Sequence, residues 1–162
     1  MFRAALFLPL LLSAPALAQT AGGTYTDWQV FTREAGPDTI CYAITPASES
    51  APSNVRHGEV YFLVASWESG AATEQPSLSV GYDLKTDSPP TARVGSTRVD
   101  MYASENEGFV ESASDERRLV QQMRRGSTLR VDAVSQRGTA TSYEFSLSGV
   151  TAALRRVREL CA

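Results

Sequence analysis

Residues 59–67 read Glu-Val-Tyr-Phe-Leu-Val-Ala-Ser-Trp, the most apolar stretch beyond the first twenty residues. Nine residues rich in β-branched and aromatic side chains are too few for a typical helix and suit a central strand. The segments on either side carry the alternation of half-buried strands. Upstream, Trp28, Val30 and Thr32 alternate with Gln29 and Phe31. Ile40, Tyr42 and Ile44 alternate with Cys41 and Ala43 across a Gly36-Pro37 turn. Downstream, Pro76 to Leu84 places Leu78, Val80, Tyr82 and Leu84 on one face, and Pro89-Pro90 ends it. Gly95-Ser96 sits between Ala92–Val94 and Thr97–Tyr102 as a two-residue hairpin turn. Thr128–Ser135 and Thr141–Leu147 form a further pair around Arg137-Gly138, and Phe109–Glu111 reads as a short strand. Residues 19–24 read as a polar lead-in, and Pro46 to Gly58 as a loop.

Two segments have helical spacing. The first is capped by Ser114, carries Asp115 and Glu116 in its first turn, buries Leu119, Val120 and Met123, and stops at Gly126. The second starts at Ser148 and aligns Val150, Ala153, Leu154, Val157 and Leu160/Cys161. Many short strands, two helices and no βαβ alternation predict a mainly β fold: an antiparallel β-sandwich with two short helices.

The chain is 162 residues long, and its start has the pattern of an export signal. Arg3 precedes an apolar run from Ala4 to Leu12, and Ala16-Leu17-Ala18 supplies the small-x-small cleavage site. The expectation is a cleaved signal over 1–18 and one domain over 19–162, located in the periplasm or secreted. No later run reaches the ~18 apolar residues of a membrane span. No membrane span is therefore expected after cleavage.

Charge is unevenly placed. Residues 19–116 hold fifteen acids and five bases, whereas 117–162 hold three acids and nine bases, all arginine. The arginines either form a basic face for an acidic partner, neutralise the acidic segment across the fold, or decorate solvated helices. The net acidity argues against nucleic acid as a partner.

Cys41 and Cys161 are the two cysteines of the chain. An exported chain with two cysteines is expected to bridge them. A nucleophilic cysteine would want a histidine, and His57 is the sole one. His57 is a candidate general base for a hydrolase, against its reading as an ordinary surface side chain. Asp100, Glu105, Glu107 and Glu111 are a candidate calcium cluster without EF-hand spacing. Zinc would need more ligands than one histidine and two bridged thiols supply. Phosphate-loop, dinucleotide and nucleophile-elbow motifs are missing, so no cofactor is expected. Trp28 and Trp67 are candidate markers of a binding surface, against the commoner role of core residues.

Taken in order, Asp27-Trp28-x-Val30-Phe31, Cys41, Arg56-x-Gly58-x-x-Tyr61 and Ser79-Val80-Gly81-Tyr82 resemble the invasion-associated locus B family of exported bacterial proteins. So do Leu119-Val120-x-x-Met123-Arg124-x-Gly126, Ser135-x-Arg137-Gly138-Thr139-Ala140-Thr141 and Phe145 to Ala153 with Cys161. The resemblance implies an immunoglobulin-like sandwich at the cell envelope, a link to host-cell invasion or envelope maintenance, and no catalytic residues. The expected function is that of a non-enzymatic binding module for a protein, envelope or host component. The alternatives are a periplasmic hydrolase using His57 and a periplasmic binder of small ligands or metal ions.

Overall fold

A computed structural model describes residues 19–162. The expected signal over 1–18 lies outside the described residues. The fold is mainly β, with antiparallel strands and two helices. The strands are β1 (Gln19–Tyr25), β2 (Trp28–Ala35), β3 (Asp38–Pro46), β4 (Glu49–Ala51), β5 (Tyr61–Trp67), β6 (Gln75–Ser79), β7 (Thr91–Val94), β8 (Thr97–Ser104), β9 (Glu107–Val110), β10 (Thr128–Val134) and β11 (Ala140–Ser146). Helix α1 (Ala113–Met123) lies between β9 and β10, and α2 (Val150–Leu160) follows β11.

Hydrogen bonding links all eleven strands in one sheet, in the order β1-β2-β3-β5-β6-β9-β8-β7-β10-β11-β4. β8 divides it into two arms. Its residues Thr97–Asp100 pair with β7, and Met101–Ser104 pair with β9. Each edge of β8 is therefore used along only half its length, and the arms fold over one another about this strand. Phe62 of β5 and Phe145 of β11 meet with ring centroids 5.6 Å apart. Trp28 Nε1 donates to the Ser146 carbonyl at 2.9 Å, joining β2 to the end of β11. Inward residues of both arms form one buried cluster, which also takes in Leu119, Val120 and Met123 of α1 and Val150, Ala153, Leu154 and Val157 of α2. Both helices are thus spent on the inner face.

Cys41 and Cys161 are joined in a disulfide across 120 residues. Cys41 is fully buried on the inner side of β3, and Cys161 caps the end of α2. The bridge holds the last helix against the first arm.

Several sequence expectations need correction. The lead-in from Gln19 is strand β1, which pairs along β2 with a bulge between Ala21 and Gly23. The 46–58 loop contains β4, which pairs with β11. The strand expected to run to Leu84 leaves the ladder after Ser79. Gly81 bends against Gly58, where a Cβ on Gly81 would come within 2.8 Å of the Gly58 Cα. Leu84 nevertheless remains buried, bridging Ser135.

The helix starts also move. The α1 cap is Ser112, whose Oγ accepts from Asp115 N at 3.1 Å, and not Ser114. Ser112→Ala is expected to cost about 1 kcal/mol in urea unfolding, and Ser114→Ala only a few tenths. α2 has no side-chain cap; its N-cap is Gly149 at φ 91°, not Ser148. A Cβ there would fall 2.0 Å from the Tyr25 carbonyl oxygen, so both the backbone angle and the space demand glycine.

Candidate functional site

The outward side of the first arm is apolar. On β3, Cys41 and Ala43 face the core, so Ile40, Tyr42 and Ile44 face out. On β5, Phe62 and Val64 face the core, so Tyr61, Leu63, Ala65 and Trp67 face out. An antiparallel sheet packed on one side normally gives polar residues to the other. Here the register sets apolar side chains side by side across β3 and β5 instead. Phe31, Tyr42 and Ala65 are cross-strand partners, as are Ile44 and Leu63. Ser77 continues that second row to Phe109 and Tyr102. Ring pairs stiffen it: Phe31 and Tyr42 centroids are 5.9 Å apart, and Tyr102 and Phe109 5.7 Å.

This face encloses a concavity of about 480 Å³ whose floor is Ile40, Tyr42, Ile44, Leu63, Ala65, Trp67 and Phe109. Its polar lining is sparse: Arg33, Gln75, Ser77 and Glu107. Ile40 and Tyr42 are only 5% and 7% exposed, whereas Tyr102 on the far side is 46% exposed. Gln19 Nε2 donates to the Tyr42 hydroxyl. Burial holds the Tyr42 phenol above its ordinary range, and the Arg33 charge acts in the opposite sense. The volume and the apolar lining with few polar groups are those of small-ligand sites.

The two tryptophans divide between the two readings. Trp28 is core, fully buried. Trp67 is half-buried on the outer face, opposite Ile40. The signal for the face was present in the alternate apolar positions of β3 and β5.

His57 is tied into the fold. Its Nε2 is 2.9 Å from the Pro52 carbonyl, and its Nδ1 is 2.9 Å from the Tyr143 hydroxyl. A carbonyl only accepts, so Nε2 carries a proton, and Nδ1 is hydrogen-bonded with the Tyr143 hydroxyl. The Tyr82 hydroxyl lies 2.7 Å from both the Tyr143 and the Thr141 hydroxyls, and Thr141 donates to the Ala133 carbonyl. Both ring nitrogens are therefore engaged by the protein itself, and no carboxylate among the described residues hydrogen-bonds the ring. The chain of hydroxyls fastens the 52–57 loop to β11.

Burial first, and then the Tyr82 hydrogen bond, push the Tyr143 phenol well above its ordinary value of 10.0, against a smaller opposite pull from Thr141. The unfolded chain loses this proton first as pH rises. Stability from Tyr143 is therefore complete below about pH 10 and declines above it. Urea unfolding between pH 8 and 11 should show this alkaline loss, and Tyr143→Phe should flatten the slope.

The acidic cluster does not assemble. Asp100 pairs with Arg98 at 3.3 Å, and no group of three metal-ligating side chains converges among the described residues. Three of the nine arginines in 117–162 pair locally: Arg118 with Asp115, Arg130 with Asp132, Arg156 with Glu159. Glu74 is where the two segments meet, receiving both Arg124 and Arg158. The second arm's outer side contrasts with the first. Arg93 stands opposite both Arg98 and Arg130, flanked by Asp100 and Asp132, so that face is charged and hydrated.

A mainly antiparallel β domain, disulfide-tied and apolar on both sides of one arm, is the class these features define. The sequence model of the family described as Invasion associated locus B (IalB) protein matches residues 28–158, and the chain belongs to that family. No curated protein and no solved structure matches the chain. The family-like motifs quoted above fall mainly on packing, turns and caps: Trp28 at the seam, Gly58 against Gly81, and Ser135 accepting from Thr139 N in the β10–β11 turn.

Proposed function

We propose that this protein is an exported, non-enzymatic binding module of the cell envelope, acting through the apolar outer face of its first arm. The observation that carries this reading is the apolar second side of β3 and β5. These side chains lie outside the core cluster and line a concavity, with Tyr102 exposed beyond it. The partner is an envelope or host component, and family membership supports a role in envelope maintenance or invasion. A hydrolase centred on His57 is disfavoured because both ring nitrogens are already engaged. The small-ligand alternative gains support from the size of the concavity.

The test is site-specific photocrosslinking in living cells. A probe at Leu63 should give a discrete adduct, a probe at Arg93 on the charged arm should not, and Trp67→Ser should abolish the Leu63 adduct. Equal capture from both arms, or no capture from Leu63 in well-expressing cells, contradicts the reading.

A further inference from the structure

We propose that the concavity on the first arm binds a free amphipathic monocarboxylate, a long unbranched acyl chain lying on the apolar floor with its carboxylate on Arg33. The inference rests on the reading of that face as the binding surface and names its ligand.

The floor selects an occupant without polar groups along its length. The main-chain groups of β3, β5 and β6 are used in ladders on both of their edges. The sheet face thus offers no backbone partner, and a peptide laid flat on it would bury amides unpaired. An acyl chain carries no such groups. A second copy of this protein fits poorly as well, because two concave faces set together leave a void.

The ends of the concavity set the head group and its direction. Arg33 stands in the same row as Ile40 and Trp67 and is exposed. No carboxylate among the described residues lies within ion-pair distance of it. Beside it, the Tyr42 hydroxyl accepts from Gln19, which leaves its own proton to donate. Two donors at one end suit a carboxylate. Glu107 lines the concavity from β9, three strands away from β3, and its charge turns an anionic head toward Arg33.

The experiment is a fluorescence titration of the mature protein with monomeric hexadecanoate. Trp67 faces the site and reports binding, while Trp28 in the core supplies a constant background. Saturable one-to-one binding is expected. Hexadecanol should bind about tenfold more weakly or worse, and Arg33→Gln should remove that preference for the acid. Arg33 is exposed, so the variant should keep its fold, and circular dichroism checks this. The absence of saturable binding overturns the proposal. So does equal affinity for acid and alcohol, or binding to phosphatidylglycerol vesicles without binding to hexadecanoate. A Leu63 adduct in cells together with no hexadecanoate binding removes this ligand and keeps the face; loss of both removes the face itself.

Discussion

Trp28→Ala should destabilise the domain by about 3–5 kcal/mol, the range for deleting a large buried aromatic. Trp28 is fully buried, and its ring fills the space where β2 meets the end of β11. Its Nε1–H is also a tie between the arms, through the Ser146 carbonyl. Two neighbouring bonds reinforce the seam: Ser146 Oγ donates to Asp27 Oδ2 at 2.6 Å, and Asp27 N donates to the Ser148 carbonyl at 3.3 Å. Alanine would remove both the packing and the tie. Trp28→Phe keeps most of the apolar volume and should cost less than half as much. Urea unfolding of the oxidised protein measures both. A loss below about 1 kcal/mol for Trp28→Ala would mean that the arms do not share one core.

The second large effect concerns the bridge. Reducing Cys41–Cys161, or replacing both with Ser, should cost about 4–5 kcal/mol by the chain-entropy account of a cross-link spanning so long a loop. The residues joined are 120 apart, so the bridge restrains nearly the whole unfolded domain. The folded state loses something too. α2 has no side-chain cap at its start and depends on packing and on its tethered end. The expected observation is a large drop in the urea midpoint on reduction, with far-UV circular dichroism in the absence of urea nearly retained. An unchanged midpoint would contradict the role assigned to the bridge.

Much of this fold was legible because side-chain period and burial agree. β5, β10, β11 and the β7–β8 hairpin fall where alternation and turn residues put them. The apolar stripe of α1 is Leu119, Val120 and Met123, as spacing predicts. Other elements were hidden for physical reasons. β1 reads Gln-Thr-Ala-Gly-Gly-Thr-Tyr and has no apolar period. It is a strand because its backbone groups pair with β2, and main-chain pairing leaves little mark on side-chain pattern. β4 is three exposed residues held to β11 in the same way. In 76–84 the alternation correctly marks burial of Leu78, Val80 and Leu84, yet the backbone turns away at Gly81. Ser112 and Ser114 are two residues apart, and both precede acidic residues, so the cap could not be chosen from sequence alone.

The candidate site was half legible. Its residues stand in the alternate positions of β3 and β5, but whether an apolar second face is covered depends on where the helices go. Both helices went inside. The outer face therefore has to be judged by its geometry, as a concavity with Arg33 and Glu107 on its margins.

Phe62 and Leu63 are neighbours on one strand with opposite assignments, and they frame the decisive measurement. A photocrosslinking probe at Ala65 is followed in living cells while urea unfolding is measured on the same variants. Leu63→Asp should leave stability within about 1 kcal/mol of the parent and abolish the adduct, whereas Phe62→Ala should lose about 3–5 kcal/mol. A Leu63→Asp protein as unstable as Phe62→Ala, or one that still forms the adduct in full, would contradict the account.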